Sequence, residues 1–258
     1  MADWFYAQNL IVQAVLATTG TWLSTAVGAA AVLFFVSVSR RVLDGMLGFA
    51  AGVMVAASSW SLLIPAIESA GSVWPAVLGL LAGAVFILAA DKLLPHRHPE
   101  DDKAPVEGPR VNWRRTFLLV FAITIHNFPE GMAVGVSFGS GESGPATALA
   151  IGIGLQNIPE GLAVALPLRR EGLSRGEALF WGQASALVEP LGGLFGAALV
   201  SLAVPLLPYG LAFAAGAMLY VVVEELIPAT AREEHTDIAT VGFLVGFTVM
   251  MALDNLFG

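Results

Sequence analysis

Residues 125–138 read IHNFPEGMAVGVSF and residues 155–168 read LQNIPEGLAVALPL. Laid in register, the two stretches share Asn, Pro, Glu, Gly, Ala and Val. Each stands inside a long apolar run, so each is predicted to be a membrane-spanning helix with a polar group at its middle. Helical spacing i, i+4 puts His126 with Glu130, and Gln156 with Glu160, on single faces, so that each pair can close on one ion. Pro129 and Pro159 have no N–H, which frees the carbonyls of Ile125 and Leu155 and kinks each helix at the polar cluster. In a bilayer a freed oxygen is tolerated only where a neighbouring group, water or ion satisfies it.

The rest of the chain reads the same way. Of its 258 residues 57% are hydrophobic and 12% charged, about half the roughly 25% charged fraction of a soluble domain. Apolar runs lie near 8–36, 42–69, 74–94, 114–138, 146–168, 177–203, 208–230 and 238–256, giving eight predicted spans, numbered here 1 to 8. Eight spans of ~20 residues take up about 160, leaving little for a water-exposed domain. The expected fold is therefore an all-α polytopic membrane protein with a single membrane domain. The first run lacks a basic leading segment, since no Lys or Arg precedes Arg40, and reads as a retained helix. With no Cys there is neither a disulfide framework nor a thiolate metal site. A net charge of -8 argues against nucleic acid as a partner.

Cationic residues orient the spans, because Lys and Arg are retained in short cytoplasmic loops. Arg40 and Arg41 follow span 1. Lys92, Arg97, Lys103, Arg110, Arg114 and Arg115 border the loop after span 3. Arg169, Arg170 and Arg175 follow span 5, and Arg232 follows span 7. All 12 basic residues thus fall on the side reached after an odd number of crossings, which places both termini outside. Trp4, Tyr6, Trp74 and Tyr209 fall near outer ends, as interfacial aromatics should. The polar stretch 95–113, with His96 and His98, is predicted to be a flexible cytoplasmic loop.

Ionisable groups inside a span cost on the order of 2.5 to 3.5 kcal/mol each on insertion scales, so their presence points to function. Span 4 carries His126, Asn127 and Glu130; span 5 carries Gln156, Asn157 and Glu160; span 6 carries Glu189; span 7 carries Glu224 and Glu225. Met54, His126, Gln156 and Glu189 all lie about 10 to 12 residues from a span end, or about 15 to 18 Å, half of a ~30 Å hydrocarbon core. A buried divalent cation would neutralise this negative charge. Imidazole with carboxylates and amides suits Zn2+, and also Fe2+, Mn2+ and Cd2+, better than Ca2+ or Mg2+, and the lack of Cys weighs against Cu+.

These residues resemble the ZIP (zinc- and iron-regulated transporter-like) family, in its bacterial branch. The likeness runs over MLGFAAGVMVAAS in span 2, HNFPEG, QNIPEG, Glu189-Pro190, EELIP in span 7 and the Asp254 end of span 8. It implies eight helices, with helices 1 to 3 and 6 to 8 as inverted repeats around helices 4 and 5. It implies a binuclear site: His126, Glu130, Gln156, Glu160 and Met54 around one ion, with Asn127, Asn157 and Glu189 completing a second that Glu130 and Glu160 bridge. It further implies an elevator in which helices 1, 4, 5 and 6 slide against helices 2, 3, 7 and 8, carrying metal into the cytoplasm, and a homodimer in an inner membrane. Two positions depart from the family pattern: Asn157 stands where some close relatives have aspartate, and Glu224 where a histidine can occur. Glu68 and Asp254 are candidate entrance carboxylates, simple interfacial solvation being the other reading. Glu224, Glu225, His96 and His98 are candidate exit groups.

The expected function is uptake of divalent metal, Zn2+ first, without covalent chemistry and without a resident cofactor. An intramembrane zinc hydrolase is the enzyme alternative, against which the chain has no H-E-x-x-H and one intramembrane His. A sensor that binds metal without flux is a third. Gly-rich and Ala-rich faces of spans 2, 4 and 5 are expected to form close sliding contacts.

Overall fold

The computed structural model describes residues 2–35, 37–93, 115–230 and 236–257, so the 95–113 loop with His96 and His98 lies outside the described residues. Every regular element among those described is helical. After a short helix at Ala2–Tyr6, seven helices are long and apolar enough to cross a bilayer: Leu10–Leu33 (α1), Arg40–Ala70 (α2), Val73–Leu93 (α3), Ser143–Arg170 (α5), Arg175–Leu202 (α6), Val204–Thr230 (α7) and Thr236–Phe257 (α8). The remaining long helix, Arg115–Gly139 (α4), begins at the edge of the undescribed stretch and contains Pro129.

Local chemistry sets several of the ends. Asn9 caps α1, its side chain accepting from the Val12 N–H at 2.9 Å. Ser174 and Glu177 form a reciprocal capping box at the start of α6. Predicted span 6 is broken in the structure, one helix ending at Ala184 and the next starting at Val188. The cause is Pro190, whose missing N–H leaves the Ala186 carbonyl to accept instead from Glu189, at 3.0 Å.

Breaks of another kind occur in α2 and α7. Residues Ala57–Leu63 and Val222–Leu226 form wide, π-type turns. The Ile64 N–H reaches back five residues to the Ser59 carbonyl, and that of Ile227 to Val222. Both are followed by proline, within the tetrapeptide Leu-Ile-Pro-Ala at 63–66 and again at 226–229.

The helices associate most closely as α2 with α8, α4 with α6, α3 with α7 and α1 with α5. Glycine makes these approaches possible. A methyl group added at Gly48 or Gly52 would collide with the α8 backbone at Ala239 or Phe243, and one at Gly83 or Gly216 with the facing α3–α7 backbone. Gly131 and Gly135 on α4 touch the backbone of Glu189 and Gly193 on α6, while Gly28 and Gly161 seat α1 on α5. The glycine faces of α2, α4 and α5, expected from sequence to be sliding surfaces, are thus largely consumed by these fixed pairs. Between the pairs, side chains meet glycine at several points, Gly152 on α5 against Met250 and Val53 and Gly210 on α7 against the methyls of Val136, while Gly144 on α5 meets the backbone of Phe257 on α8.

Which ends lie together follows from three contacts. Tyr6 Oη is 3.2 Å from Thr147 Oγ1 near the start of α5, and Gly144 abuts the backbone of Phe257 at the end of α8. The first and last described residues therefore share one end of the bundle. At the opposite end, Arg40 Nη2 donates to the Ala229 carbonyl at 2.9 Å and Arg40 Nε pairs with the buried Asp44 at 2.7 Å.

Candidate metal centre

The polar residues of α4 and α5 come together where the two proline kinks fall. Gln156 Nε2 donates to Glu130 Oε1 at 2.9 Å, joining the second residue of one motif to the sixth of the other. His126 Nε2 lies 3.0 Å from Glu225 Oε1 on α7. Glu130 has Glu160 and Glu189 as charged neighbours, and Glu160 has His126 and Glu225. Between Arg115 and Arg169 the sequence contains no Lys or Arg to balance them.

A second group adjoins the first. Asn157 Nδ2 donates to both oxygens of Glu189, at 3.0 and 3.1 Å, and to the Thr21 carbonyl at 3.0 Å. The one Thr21 hydroxyl hydrogen is shared between Glu189 Oε2 and the Thr18 carbonyl, the latter at 2.9 Å. Glu189 sits in the first turn of the second half of α6, where unpaired backbone N–H groups favour a carboxylate.

Donors and acceptors do not balance here. Glu130 Oε2, Gln156 Oε1 and Asn157 Oδ1 are buried without a hydrogen-bond partner. A buried acceptor left unserved costs ~1–3 kcal/mol, and three of them lie on two neighbouring helices.

Comparison with known proteins gives this cluster a context. The family model described as "ZIP Zinc transporter" matches residues 110–254. The chain belongs to the ZIP zinc transporter family. It is 41% identical to zinc transporter ZIP11 of Homo sapiens, over 95% of this chain and 97% of the relative. It is 44% identical to zinc transporter ZIPB of Bordetella bronchiseptica, over 95% and 81%, and 41% identical to zinc transporter GufA of Myxococcus xanthus, over 96% and 98%. Membership makes it a transporter and not an intramembrane hydrolase, and the relatives include bacterial members, as the motifs suggested.

The remaining expected residues of this ZIP chain are distributed unevenly. Asn127 is buried on α4, and Met54 is buried within the largest apolar cluster, alongside Met218 and Met250. Asp254 accepts from Ser61 Oγ at 2.8 Å, tying α8 to the wide turn of α2, whereas Glu68 is exposed. Glu224 is exposed too, but Glu225, grouped with the exit from sequence, instead joins the central cluster through His126. Among the described residues no three His, Asp or Glu side chains converge into a ready-made cage. Sequence reading missed Thr21. The available signal was the face Thr18, Thr21, Thr25 on an apolar helix, three and four residues apart and buried throughout.

Proposed function

We propose that this protein carries divalent metal ions, Zn2+ foremost, across a cytoplasmic membrane through the group of His126, Glu130, Gln156 and Glu160. The observation that carries this reading is the set of unserved oxygens on Glu130, Gln156 and Asn157 beside an imidazole, in a stretch devoid of Lys and Arg. Nitrogen with mixed oxygen donors suits borderline first-row ions. Capture requires only that Glu130 turn its free oxygen to the ion and that His126 exchange Glu225 for it.

The rest of the reading follows from topology and packing. Eight crossings with the basic loops inside put both termini outside, and the direction proposed, from the family likeness, is inward. The matching Leu-Ile-Pro-Ala turns of α2 and α7 support an inverted repeat of helices 1 to 3 and 6 to 8. Alternating access divides α1, α4, α5 and α6 from α2, α3, α7 and α8. The support for this division is that the close backbone contacts fall mostly within each set, whereas side chains such as Met250 lie between the sets, apart from the approach of Gly144 to the Phe257 backbone at one end.

The deciding experiment is flux in proteoliposomes over a panel of divalent ions. Saturable Zn2+ accumulation that disappears in Glu130→Gln is expected. Metal binding with no flux in either direction would make the protein a sensor and refute the proposal.

A further inference from the structure

Glu130 and Glu189 differ in how their oxygens are served. Glu130 keeps one oxygen free. Glu189, fully buried, receives the Asn157 amide on both oxygens and the Thr21 hydroxyl on one. The same amide nitrogen also holds the Thr21 carbonyl, so α1, α5 and α6 meet at one nitrogen. The amide cannot be turned over, because its oxygen would then face three acceptors and no donor. Nδ2 and Oδ1 lie on opposite branches of a planar group. An ion placed between Asn157 and Glu189 would therefore have to expel the N–H groups that the carboxylate already uses.

Resting on the metal-carrying reading above, we propose that Thr21 and Asn157 are positioning residues that clamp Glu189 in place of a second cation. The chain then binds a single metal ion, at the His126 end of the cluster, and the clamp holds α1 to α5 and α6 as one body. An aspartate at position 157 would donate nothing to Glu189; two facing carboxylates repel unless a cation or a shared proton lies between them, so the neutral amide is what makes the second ion dispensable.

The test is metal stoichiometry of the full, tag-free chain in detergent micelles, loaded with Zn2+ alone by equilibrium dialysis and read by elemental analysis. One ion per chain is expected for the wild type and for Glu189→Gln, none for Glu130→Gln, and two for Asn157→Asp. Thr21→Ser should behave as wild type, while Thr21→Val should keep one ion but melt at lower temperature in the absence of metal. Two ions in the wild type, one of them lost in Glu189→Gln, would overturn the clamp and leave the transport reading standing. Asn157→Asp remaining at one ion would also overturn it. A single ion that survives Glu130→Gln but not Glu189→Gln would overturn both.

Discussion

His126 Nε2 and Glu225 Oε1 stand 3.0 Å apart across the contact between α4 and α7. The imidazole proposed to hold the metal is thus already engaged, by a carboxylate on another helix. On the proposed reading, zinc takes the place of this pairing. Replacing Glu225 with alanine removes a hydrogen bond of ~1.5–3 kcal/mol to a charged group, so Zn2+ should bind about ten- to a hundredfold more tightly and leave more slowly. Calorimetry on the purified variant measures the first and single-turnover efflux the second. Weaker binding in Glu225→Ala would instead make Glu225 a ligand.

Glu130 and Glu160 should each be indispensable. Glu130→Gln fills the free oxygen position with a neutral amide, and Glu160→Gln removes the charge beside His126. Both variants should reach the membrane in normal amounts and lose most Zn2+ uptake. Near-normal uptake in either would detach that residue from the site.

Only a deprotonated carboxylate and a neutral imidazole bind metal, so protons and Zn2+ compete for this cluster. Binding should release protons, and affinity should fall as the medium is acidified. The check is the binding enthalpy in buffers of different ionisation enthalpy: a slope gives the number of protons released, and a flat response contradicts the competition.

His126 supplies the nitrogen of the donor set. His126→Ala should therefore reduce transport of Zn2+ more than that of Mn2+, which accepts an oxygen-rich shell. Competition uptake gives the ratio directly; an unchanged zinc-to-manganese preference would remove the imidazole from selectivity.

Glycine substitutions should separate the fixed contacts from the movable ones. Gly48→Ala and Gly83→Ala drive a methyl group into backbone, where overpacking costs ~1–3 kcal/mol, and should lower the melting temperature. Gly152→Ala meets the thioether of Met250 instead, which can swing aside. It should fold normally and change the transport rate. Equal loss of stability at all three positions would mean that the α5 contact is as rigid as the others.

The parts of this site that could be read from sequence are those where a residue contradicts its surroundings. Glu130, Glu160 and Glu189 stand out because a charge in an apolar run has no cheap explanation, and the i, i+4 pairs follow from helical geometry alone. Thr21 was illegible for the opposite reason. A threonine in a membrane helix usually satisfies itself on its own backbone, as Thr18 does on the Ala14 carbonyl at 2.8 Å, so nothing in the letter distinguishes the one that reaches Glu189. The glycines were legible as close-contact positions, but which helix each one faces is a property of the assembled bundle. The broken α6 could have been foreseen from Pro190, and the paired Leu-Ile-Pro-Ala segments were open to inspection as well. The partnership of Glu225 was not, because it depends on how the end of α7 is wound.

That winding has a consequence of its own. Glu225 lies inside the wide turn at Val222–Leu226, a stretch that accommodates one residue more than an ordinary α-helical turn. Such a surplus can migrate along a helix by exchanging one carbonyl partner for the next, without the helix ever coming apart. A single step of this migration past Glu225 swings its side chain by about 100° around the axis. The carboxylate would leave His126 while both ends of α7 stay where their neighbours hold them. If the surplus steps in this way, α7 would act as a gear with a single spare tooth, placed at the residue that the ion of the proposed site would displace.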